Sequence, residues 1–373
     1  MEDSLKDHQF GQKMPNLSME KCRNVSTVLS GTPTTSAIMF SAGVLGNVVA
    51  LVLLKIRRKN QSASLFQVLV TALIITDLVG TFSVSPLVIT AYSRNQSMIG
   101  LSGNDSNNTI CSHFGFAMTF FSLVTLALLL SMALERWFSI GLPYFYERHI
   151  NTRCGYVAII LIYLVCTLFC VTPFFGFGRY VQYCPGTWCF IDMNSDELGH
   201  KVYKNIYASC LLAMIVCTVL CNASVIYHLL LMYRRRKANR SSFRRPKGSK
   251  RSLSLTKEVE HLVLLGFMTI AFLICSLPLV IHVYISSSRD TKYPAMDLTA
   301  LLLLSMNPII DPWVFIILSP PVPRLLWGVI CHAPRSQHSH DKLGMTRPQP
   351  TNNKDHCILS ESFQTSPPIE LQT

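Results

Sequence analysis

The stretch from Cys111 to Tyr146 constrains the fold of this chain more than any other. No charged residue lies between His113 and Glu135, and a helix of that length crosses the ~30 Å apolar core of a bilayer. A cysteine begins the stretch, and the adjacent pair Glu135 and Arg136 ends its apolar part. The sequence therefore predicts a membrane-spanning helix with a cysteine at one membrane face and an acid–base pair at the other.

The composition agrees with a membrane protein. Apolar residues make up 50% of the 373 residues and charged residues only 14%, a balance far from that of soluble domains. The formal net charge is +13, but the basic residues are concentrated between and after apolar stretches. That distribution indicates juxtamembrane clusters and not a nucleic-acid-binding surface. The first 33 residues are polar, and we expect no cleavable signal peptide.

Six further apolar stretches accompany the one that begins at Cys111. The predicted spans are 34–56, 64–92, 154–175, 203–233, 259–285 and 296–318. Basic clusters follow the first and the fifth of these, and cytoplasmic loops are rich in Lys and Arg. The sequence therefore predicts an all-α, seven-helix membrane bundle over residues 34–318, with its amino terminus outside the cell. A transporter is disfavoured because no internal repeat is visible, and no motif for an intramembrane enzyme is present.

This topology assigns a role to each segment outside the spans. Residues 1–33 are predicted to be an extracellular tail, and residues 234–257 a disordered, basic third cytoplasmic loop whose serines can be phosphorylated. Residues 319–373 are predicted to form a short amphipathic helix, with Cys331 placed for palmitoylation, and then a disordered tail. The predicted glycosylation sites are Asn16, Asn24, Asn95, Asn104 and Asn107.

Four cysteines lie in the predicted extracellular segments or at their borders. Cys111 can reach the second outer loop, which contains Cys184 and Cys189, and an oxidising exterior favours pairing there. A Cys111–Cys189 disulfide would tie this loop across the mouth of the bundle. Cys184 is then left over, and we expect it to pair with Cys22 in the tail.

Polar residues inside the spans form a second group of candidates. Asp77, Asn47, Thr125, Asn307 and Asp311 would converge at mid-depth, where an acid is costly unless it has partners. Two close acids cannot both ionise cheaply, so a sodium ion or one protonated acid would relieve their repulsion. The alternative is a purely structural cluster of hydrogen bonds. No residues with the spacing of another metal site occur.

A third group lies at the cytoplasmic end. Arg136 is predicted to be held by Glu135 and by Glu258, at the start of the sixth span, and opening this latch would expose a cleft for a partner helix. The alternative is an incidental surface ion pair. Pro278 and Pro312 supply helix kinks that can act as hinges.

Several motifs together resemble one receptor family. They are DPWVF (311–315), CPGTWCF (184–190), CSLP (275–278), SMALERW and LPYFY, and they are similar to the corresponding motifs of the prostanoid receptors, a branch of the rhodopsin-like G-protein-coupled receptors. The resemblance covers about residues 36–325 and is strongest to receptors for prostaglandin E2.

The resemblance implies a multi-pass receptor of the plasma membrane, and neither an enzyme nor a cofactor-dependent protein. Prostaglandin E2 is the expected ligand, with prostacyclin or prostaglandin D2 as alternatives. The implied partners are the stimulatory G protein, which raises cyclic AMP, together with arrestin, receptor kinases and membrane lipids, and not nucleic acid.

The resemblance also implies a ligand pocket, with one departure from the family. In the family, helix seven reads approximately DLxAxRF, and its arginine binds the ligand carboxylate. Leu302 occupies that position here. The head group is then held by Tyr92 and Thr187 with help from Arg94, or the ligand is a neutral prostanoid ester or amide, or the receptor is unresponsive or constitutively active. The candidate ligand-binding residues are Met39, Ser83, Pro86, Tyr92, Met118, Phe121, Thr187, Leu302 and Ser305.

Overall fold

A computed structural model describes residues 22–60, 64–103, 108–195, 197–240, 249–288 and 294–318. The helices are α1 (Pro33–Asn60), α2 (Leu65–Arg94), α3 (Met98–Leu101), α4 (Thr109–Gly141), α5 (Pro143–His149), α6 (Thr152–Val171), α7 (Leu198–Arg240), α8 (Ser249–Ser288), α9 (Pro294–Ser305) and α10 (Asn307–Leu318). Seven spans in this part of the chain are long and apolar enough to cross a membrane. They correspond to α1, α2, α4, α6 with its 3-10 extension Thr172–Phe175, α7, α8 and the α9–α10 pair. The predicted all-α, seven-span bundle is confirmed.

The spans are helical because a backbone inside a bilayer must satisfy its own hydrogen bonds. They differ in how much of each is covered by its neighbours. In the most apolar window of α4, 67% of the residues are buried, whereas the figure for α6 with its extension is 17%. Helix α4 packs against α2, α6 and α7 and against the strand Trp188–Ile191. The stretch that first indicated a membrane protein is therefore the centre of the bundle, and α6 lies at its edge.

The seventh span is divided into two helices. Helix α9 ends at Ser305 and α10 begins at Asn307, whereas the sequence predicted one continuous helix kinked at Pro312. The backbone N–H of Met306 bonds to the carbonyl of Leu303 at 3.0 Å, an i to i−3 bond that ends α9. Pro308, two residues on, has no N–H to continue the helical ladder. Pro312 lies inside α10.

Helices also extend into the basic segment that was predicted to be a disordered loop. Helix α7 continues to Arg240, and α8 begins at Ser249, so that prediction is wrong for residues 234–240 and 249–257. Arg and Lys are good helix formers, and no proline or glycine occurs between Tyr233 and Arg245. Periodicity of apolar residues marks the membrane-embedded part of a helix and not its polar continuation.

A β-hairpin covers one end of the bundle, here called the capped end; the other is called the Arg136 end. Strands β1 (Tyr180–Tyr183) and β2 (Trp188–Ile191) pair antiparallel. Gly186, in the turn, has φ of +106°, a conformation that residues with a side chain rarely adopt.

Two disulfides fix the hairpin. One joins Cys189 to Cys111 in the first turn of α4, with Cα atoms 5.4 Å apart, and the other joins Cys184 to Cys22, with Cα atoms 5.3 Å apart. These are the pairs that the sequence predicts. The hairpin is thus bound on one side to the bundle and on the other to the amino-terminal segment.

Candidate functional site

Residues 22–32 form a second layer over the hairpin. The side chain of Gln182 donates to the carbonyl oxygens of Cys22 at 2.9 Å and Val25 at 3.1 Å. The backbone N–H of Leu29 donates to the carbonyl of Pro185 at 3.1 Å. Because these bonds satisfy backbone groups of an otherwise irregular segment, the cover is a built part of the fold.

Where this cover meets the bundle lies a buried or half-buried group of charged and polar side chains, called the cap cluster. Its members are Arg23, Asp192, Asn194, Lys204, His282, Ser286 and Asp297. Arg23 forms an ion pair with Asp192, whose Oδ1 also accepts the backbone N–H of Asn194 at 3.0 Å. The side chain of Asn194 donates to Oδ2 of Asp297 at 3.4 Å. The tail and the loop are thereby joined to α9.

The same cluster reaches α7 and α8. His282 Nε2 lies 3.3 Å from Asp297 Oδ1. The Lys204 ammonium donates to the carbonyl of Met193, which also accepts the Ser286 hydroxyl at 3.0 Å. Lys204 and Asp297 are each only 1% exposed, and buried charges of this kind are tolerated when they compensate one another. With two acids and two strong bases, the cluster holds α7, α8, α9, loop and tail together.

Tyr183 supports the backbone beside the cluster. Its hydroxyl donates to the carbonyl of Ile191 at 2.7 Å and accepts the N–H of Met193 at 2.9 Å. Burial, reinforced by the nearby Asp297 and Asp192, raises the pKa of Tyr183 well above its ordinary value. The phenol therefore remains a neutral donor.

A cavity lies between α1, α2, α4 and the α9–α10 pair. Met39, Met118 and Phe121 form apolar parts of its wall, and Trp188 of β2 reaches it from the cap. Hydroxyl groups are scattered between them: Ser36, Thr81, Ser85, Ser122, Thr125 and Ser305. A mostly apolar wall with several hydroxyls suits a lipid-like ligand that carries oxygen atoms.

The charge of this cavity is unusual for a site that would hold an acid. Among the described residues, those that line it include Asp77 but no Lys, Arg or His. Leu302 is not among them and is 37% exposed, whereas the adjacent Leu301 and the nearby Leu304 are buried. A carboxylate in this cavity would therefore meet no cationic partner in its wall, and it would meet an acid at mid-depth.

The predicted ligand-binding residues are divided between the cavity and its surroundings. Met39, Met118, Phe121 and Ser305 line the cavity, whereas Ser83, Pro86, Tyr92, Thr187 and Leu302 do not. The Thr187 hydroxyl donates to the Tyr92 hydroxyl at 3.2 Å, so the two predicted head-group contacts are adjacent. Ser83 lies 3.2 Å from His113 Nε2. That any of these residues binds the ligand stays a prediction.

Sequence reasoning missed Thr81 and Ser85, which line the cavity. They follow Asp77 at four-residue intervals, a spacing that places all three on one face of α2. The stripe of small polar residues in an apolar span was the available signal.

The mid-depth polar group contains more acceptors than donors. Asp77 Oδ1 accepts the Thr125 hydroxyl at 3.2 Å, and the Asn47 amide donates to the carbonyls of Gly43 and Pro308, each at 2.9 Å. Five buried oxygens have no hydrogen-bond partner in the described part of the chain: Asn47 Oδ1, Asp77 Oδ2, Asn307 Oδ1 and both carboxylate oxygens of Asp311. Oxygen-only acceptors suit a hard cation such as sodium, or protons shared between the acids.

At the Arg136 end, Arg136 is 4% exposed and is enclosed by three helices. Its guanidinium forms an ion pair with Glu135, which also accepts the hydroxyl of Tyr146 at 2.7 Å. Nη1 lies 3.3 Å from Nδ1 of His261 on α8, and the guanidinium carbon lies 5.0 Å from the centre of the Phe66 ring on α2. The predicted contact with Glu258 lies outside the described residues, because the structure describes no side chain at that position.

A cavity beside the capped end, a buried arginine at the opposite end and seven spans between them are typical of membrane receptors. The family description "7 transmembrane receptor (rhodopsin family)" matches residues 46–315, and the chain belongs to that family. It is therefore a multi-pass protein of the plasma membrane. Squid rhodopsin has a similar fold, with a TM-score of 0.67 over 81% of this chain and 86% of that one, at 15% sequence identity.

Relatives within the family are much more similar in sequence. The chain is 47% identical to the prostaglandin E2 receptor EP2 subtype of Homo sapiens over 80% of this chain and 86% of that protein. The EP2 subtype of Mus musculus is 45% identical over 91% and 96%. The prostacyclin receptor of Homo sapiens is 40% identical over 84% and 80%.

Proposed function

We propose that this chain is a prostanoid receptor that responds to prostaglandin E2, activates the stimulatory G protein and raises cyclic AMP. The observation that carries the proposal is the cavity between α1, α2, α4 and the α9–α10 pair, whose wall is mostly apolar and bears several hydroxyl groups. This polarity fits an oxygenated lipid. Support comes from the 45–47% identity to relatives named as prostaglandin E2 receptors.

In this proposal the capped end faces the exterior and the Arg136 end faces the cytosol. Asn24 and Asn95, both in glycosylation triplets, are exposed beside the cap, while Arg234 and Arg235 are exposed at the far end of α7. Basic residues favour the cytoplasmic side. The G protein, arrestin and receptor kinases would then approach the Arg136 end.

A neutral prostanoid, such as an ester or amide, is a second candidate ligand. The wall of the cavity contains no cation and includes Asp77, and Leu302 stands where the family has an arginine. A charge-assisted hydrogen bond contributes about 1.5–3 kcal/mol. Without that bond, the acid would lose an affinity advantage of about 10–100-fold over its amide.

A cyclic AMP assay in transfected cells tests both candidates. Prostaglandin E2, prostacyclin and prostaglandin D2 would each be applied as the free acid and as the ethanolamide, which resists the esterases that would hydrolyse an ester. We expect a response to prostaglandin E2 or its amide at the lowest concentration. Silence of the whole panel at normal surface expression would overturn the proposed function, whereas a clear preference for the acids would overturn only the neutral-ligand candidate.

Leu302→Arg tests whether a cation on this part of α9 can serve the head group. Leu302 itself does not line the cavity, so the long arginine side chain has to reach the wall; if it does, we expect the potency of the prostaglandin E2 acid to rise about 10–100-fold and that of the amide to stay unchanged. Leu303→Arg is the matched control, because it introduces the same charge on the next face of α9. The argument would be contradicted if Leu302→Arg and Leu303→Arg changed the potencies of the acid and of the amide by the same amount.

A further inference from the structure

The amino-terminal segment lies against the ring of Tyr92 at Gly31. Gly31 has φ of +116°, a backbone conformation that residues with a side chain rarely adopt. A Cβ atom built on it would lie 2.6 Å from Cε1 of Tyr92, closer than real Cβ atoms approach. Two residues earlier, Leu29 is bonded to the carbonyl of Pro185 in the turn of the hairpin. The backbone of the segment is therefore held directly on the phenol ring.

Tyr92 connects this segment to the hairpin. Its hydroxyl accepts the hydroxyl of Thr187 at 3.2 Å, and Thr187 is fully buried. The next residue, Trp188, lines the cavity and is 7% exposed. Because Thr187 and Trp188 are consecutive in the chain, the orientation of the indole depends on where Thr187 is held. Trp188 and the two residues that support it, Thr187 and Tyr92, are here called the roof.

Tyr92 is also placed at the edge of the cavity by its own helix. Val88 lines the cavity, and Tyr92 follows it by four residues on α2. This spacing puts the two side chains on one face of the helix, with Tyr92 one turn nearer the capped end. The phenol ring therefore lies between the cavity wall below it and Gly31 beyond it.

We propose that Gly31 is a positioning residue for the roof, and that the segment around it thereby sets how slowly a ligand leaves the cavity. The inference rests on the proposed function where it concerns prostanoid dissociation, whereas the position of Trp188 can be measured without a ligand. Gly31 does not line the cavity, so it acts through Tyr92 and Thr187. A ligand that leaves toward the capped end has to displace Trp188, and a shifted Tyr92 makes that displacement easier.

Gly31→Ala tests the contact, because the added Cβ forces the Tyr92 ring to move. Gly176→Ala is the matched control: Gly176 has φ of +89°, but nothing lies within 4 Å of the position that its Cβ would take. The control thus carries similar backbone strain without the contact. Tyr92→Leu removes the ring atoms that the new Cβ would meet, so adding Gly31→Ala to it should have no further effect on the roof.

The first measurement needs no ligand. Acrylamide quenching of tryptophan fluorescence in the purified receptor, with the signal of Trp188→Phe subtracted, reports how far Trp188 is exposed to water. We expect the quenching of Trp188 to rise in Gly31→Ala and in Tyr92→Leu, and to stay at the parent's value in Gly176→Ala. Quenching in Gly31→Ala equal to that of the parent, or to that of Gly176→Ala, would overturn the proposal.

The second measurement is the dissociation of tritiated prostaglandin E2, and of its tritiated ethanolamide, from membranes that contain the receptor. We expect the dissociation rate constant to rise about 2–10-fold in Gly31→Ala, the factor that one neutral hydrogen bond contributes, with an unchanged number of binding sites. The double variant Gly31→Ala/Tyr92→Leu should dissociate no faster than Tyr92→Leu alone. Effects that multiply would show that the two residues act independently, and would overturn the proposal.

Folding and the proposed function are controlled separately. If Gly31→Ala does not reach the surface, Tyr92→Phe replaces it, since this variant removes only the hydroxyl bond to Thr187 and should raise the quenching of Trp188 as well. If the parent binds neither form of prostaglandin E2, the proposed function fails and the quenching alone decides the role of Gly31. Normal binding by the parent, with equal dissociation rates in Gly31→Ala, would refute only the role of Gly31.

Discussion

Replacement of Lys204 by Met tests whether the cap cluster is one electrostatic unit. In the parent, Asp192 and Asp297 are balanced by Arg23 and Lys204, and Lys204 is 1% exposed. Lys204→Met removes one of the two strong bases from the cluster and leaves the buried Asp297 with His282, 3.3 Å away, as its neighbouring base. Breaking a buried charge pair from one side costs about 3–5 kcal/mol. The double variant Lys204→Met/Asp297→Asn restores neutrality, leaving Arg23 with Asp192.

The expected outcome is measured by thermal unfolding of the purified receptor in detergent. At roughly 2 °C per kcal/mol for a body of this size, Lys204→Met should lower Tm by about 6–10 °C. The double variant should recover about half of that loss, a coupling typical of residues in one network. Lys201→Met is the control: it removes the same charge one turn earlier on α7, outside the cluster, and should change Tm by about 1 °C or less.

The result that would refute the reasoning is additivity. If Asp297→Asn and Lys204→Met lower Tm independently, so that the double variant loses their sum, the two charges do not compensate each other. If Lys201→Met lowers Tm as much as Lys204→Met does, the positive charges on α7 act through long-range electrostatics and not through the buried contacts of Lys204.

Three further predictions follow from the cap and the bundle. The double variant Cys22→Ser/Cys184→Ser should lose about 2–4 kcal/mol of stability, seen as a lower Tm without reductant; an unchanged Tm would mean that the tail is held by hydrogen bonds alone. Tyr183→Phe should cost about 1–3 kcal/mol because it leaves two buried backbone groups without a partner, and a neutral effect in the same assay would contradict that role. Replacement of sodium by choline should lower the Tm of the parent but not of Asp77→Asn; equal shifts in both would argue against a cation at the mid-depth oxygens.

The architecture was predictable because its signals are local. Each span is a run of apolar residues, and the basic clusters after the first and fifth spans give the direction of the chain. The disulfides were also within reach, because Cys111, Cys184 and Cys189 fall in segments that the topology brings to one end. The side of the membrane on which each end lies remains a prediction.

The parts that sequence reasoning missed depend on contacts between distant segments. Asp192, Lys204, His282 and Asp297 each look like an ordinary charge near the end of a span, and only their assembly under the cap gives them a common role. The contacts of Arg136 illustrate the same limit. The predicted contact with Glu258 stays a prediction, whereas the described contact with His261 depends on how α4 and α8 pack and was not visible in the sequence.

The break in the seventh span has a signal in the sequence, but that signal is Pro308 and not Pro312. Helix α10 continues through Pro312, and the interruption lies at Met306, ahead of Pro308. A proline is tolerated in the first turn of a helix, where its missing N–H has no partner in any case. Pro308 is the second residue of α10. Its place directly after Asn307 therefore indicates that a new helix begins there.

The anchoring of the hairpin by two disulfides has a practical consequence for anyone producing this receptor. Disulfides form and persist in oxidising compartments, so a bacterial cytoplasm is an unsuitable host. Thiol reductants in extraction buffers would attack the same two bonds. Preparations handled with dithiothreitol would then differ from native material at the capped end.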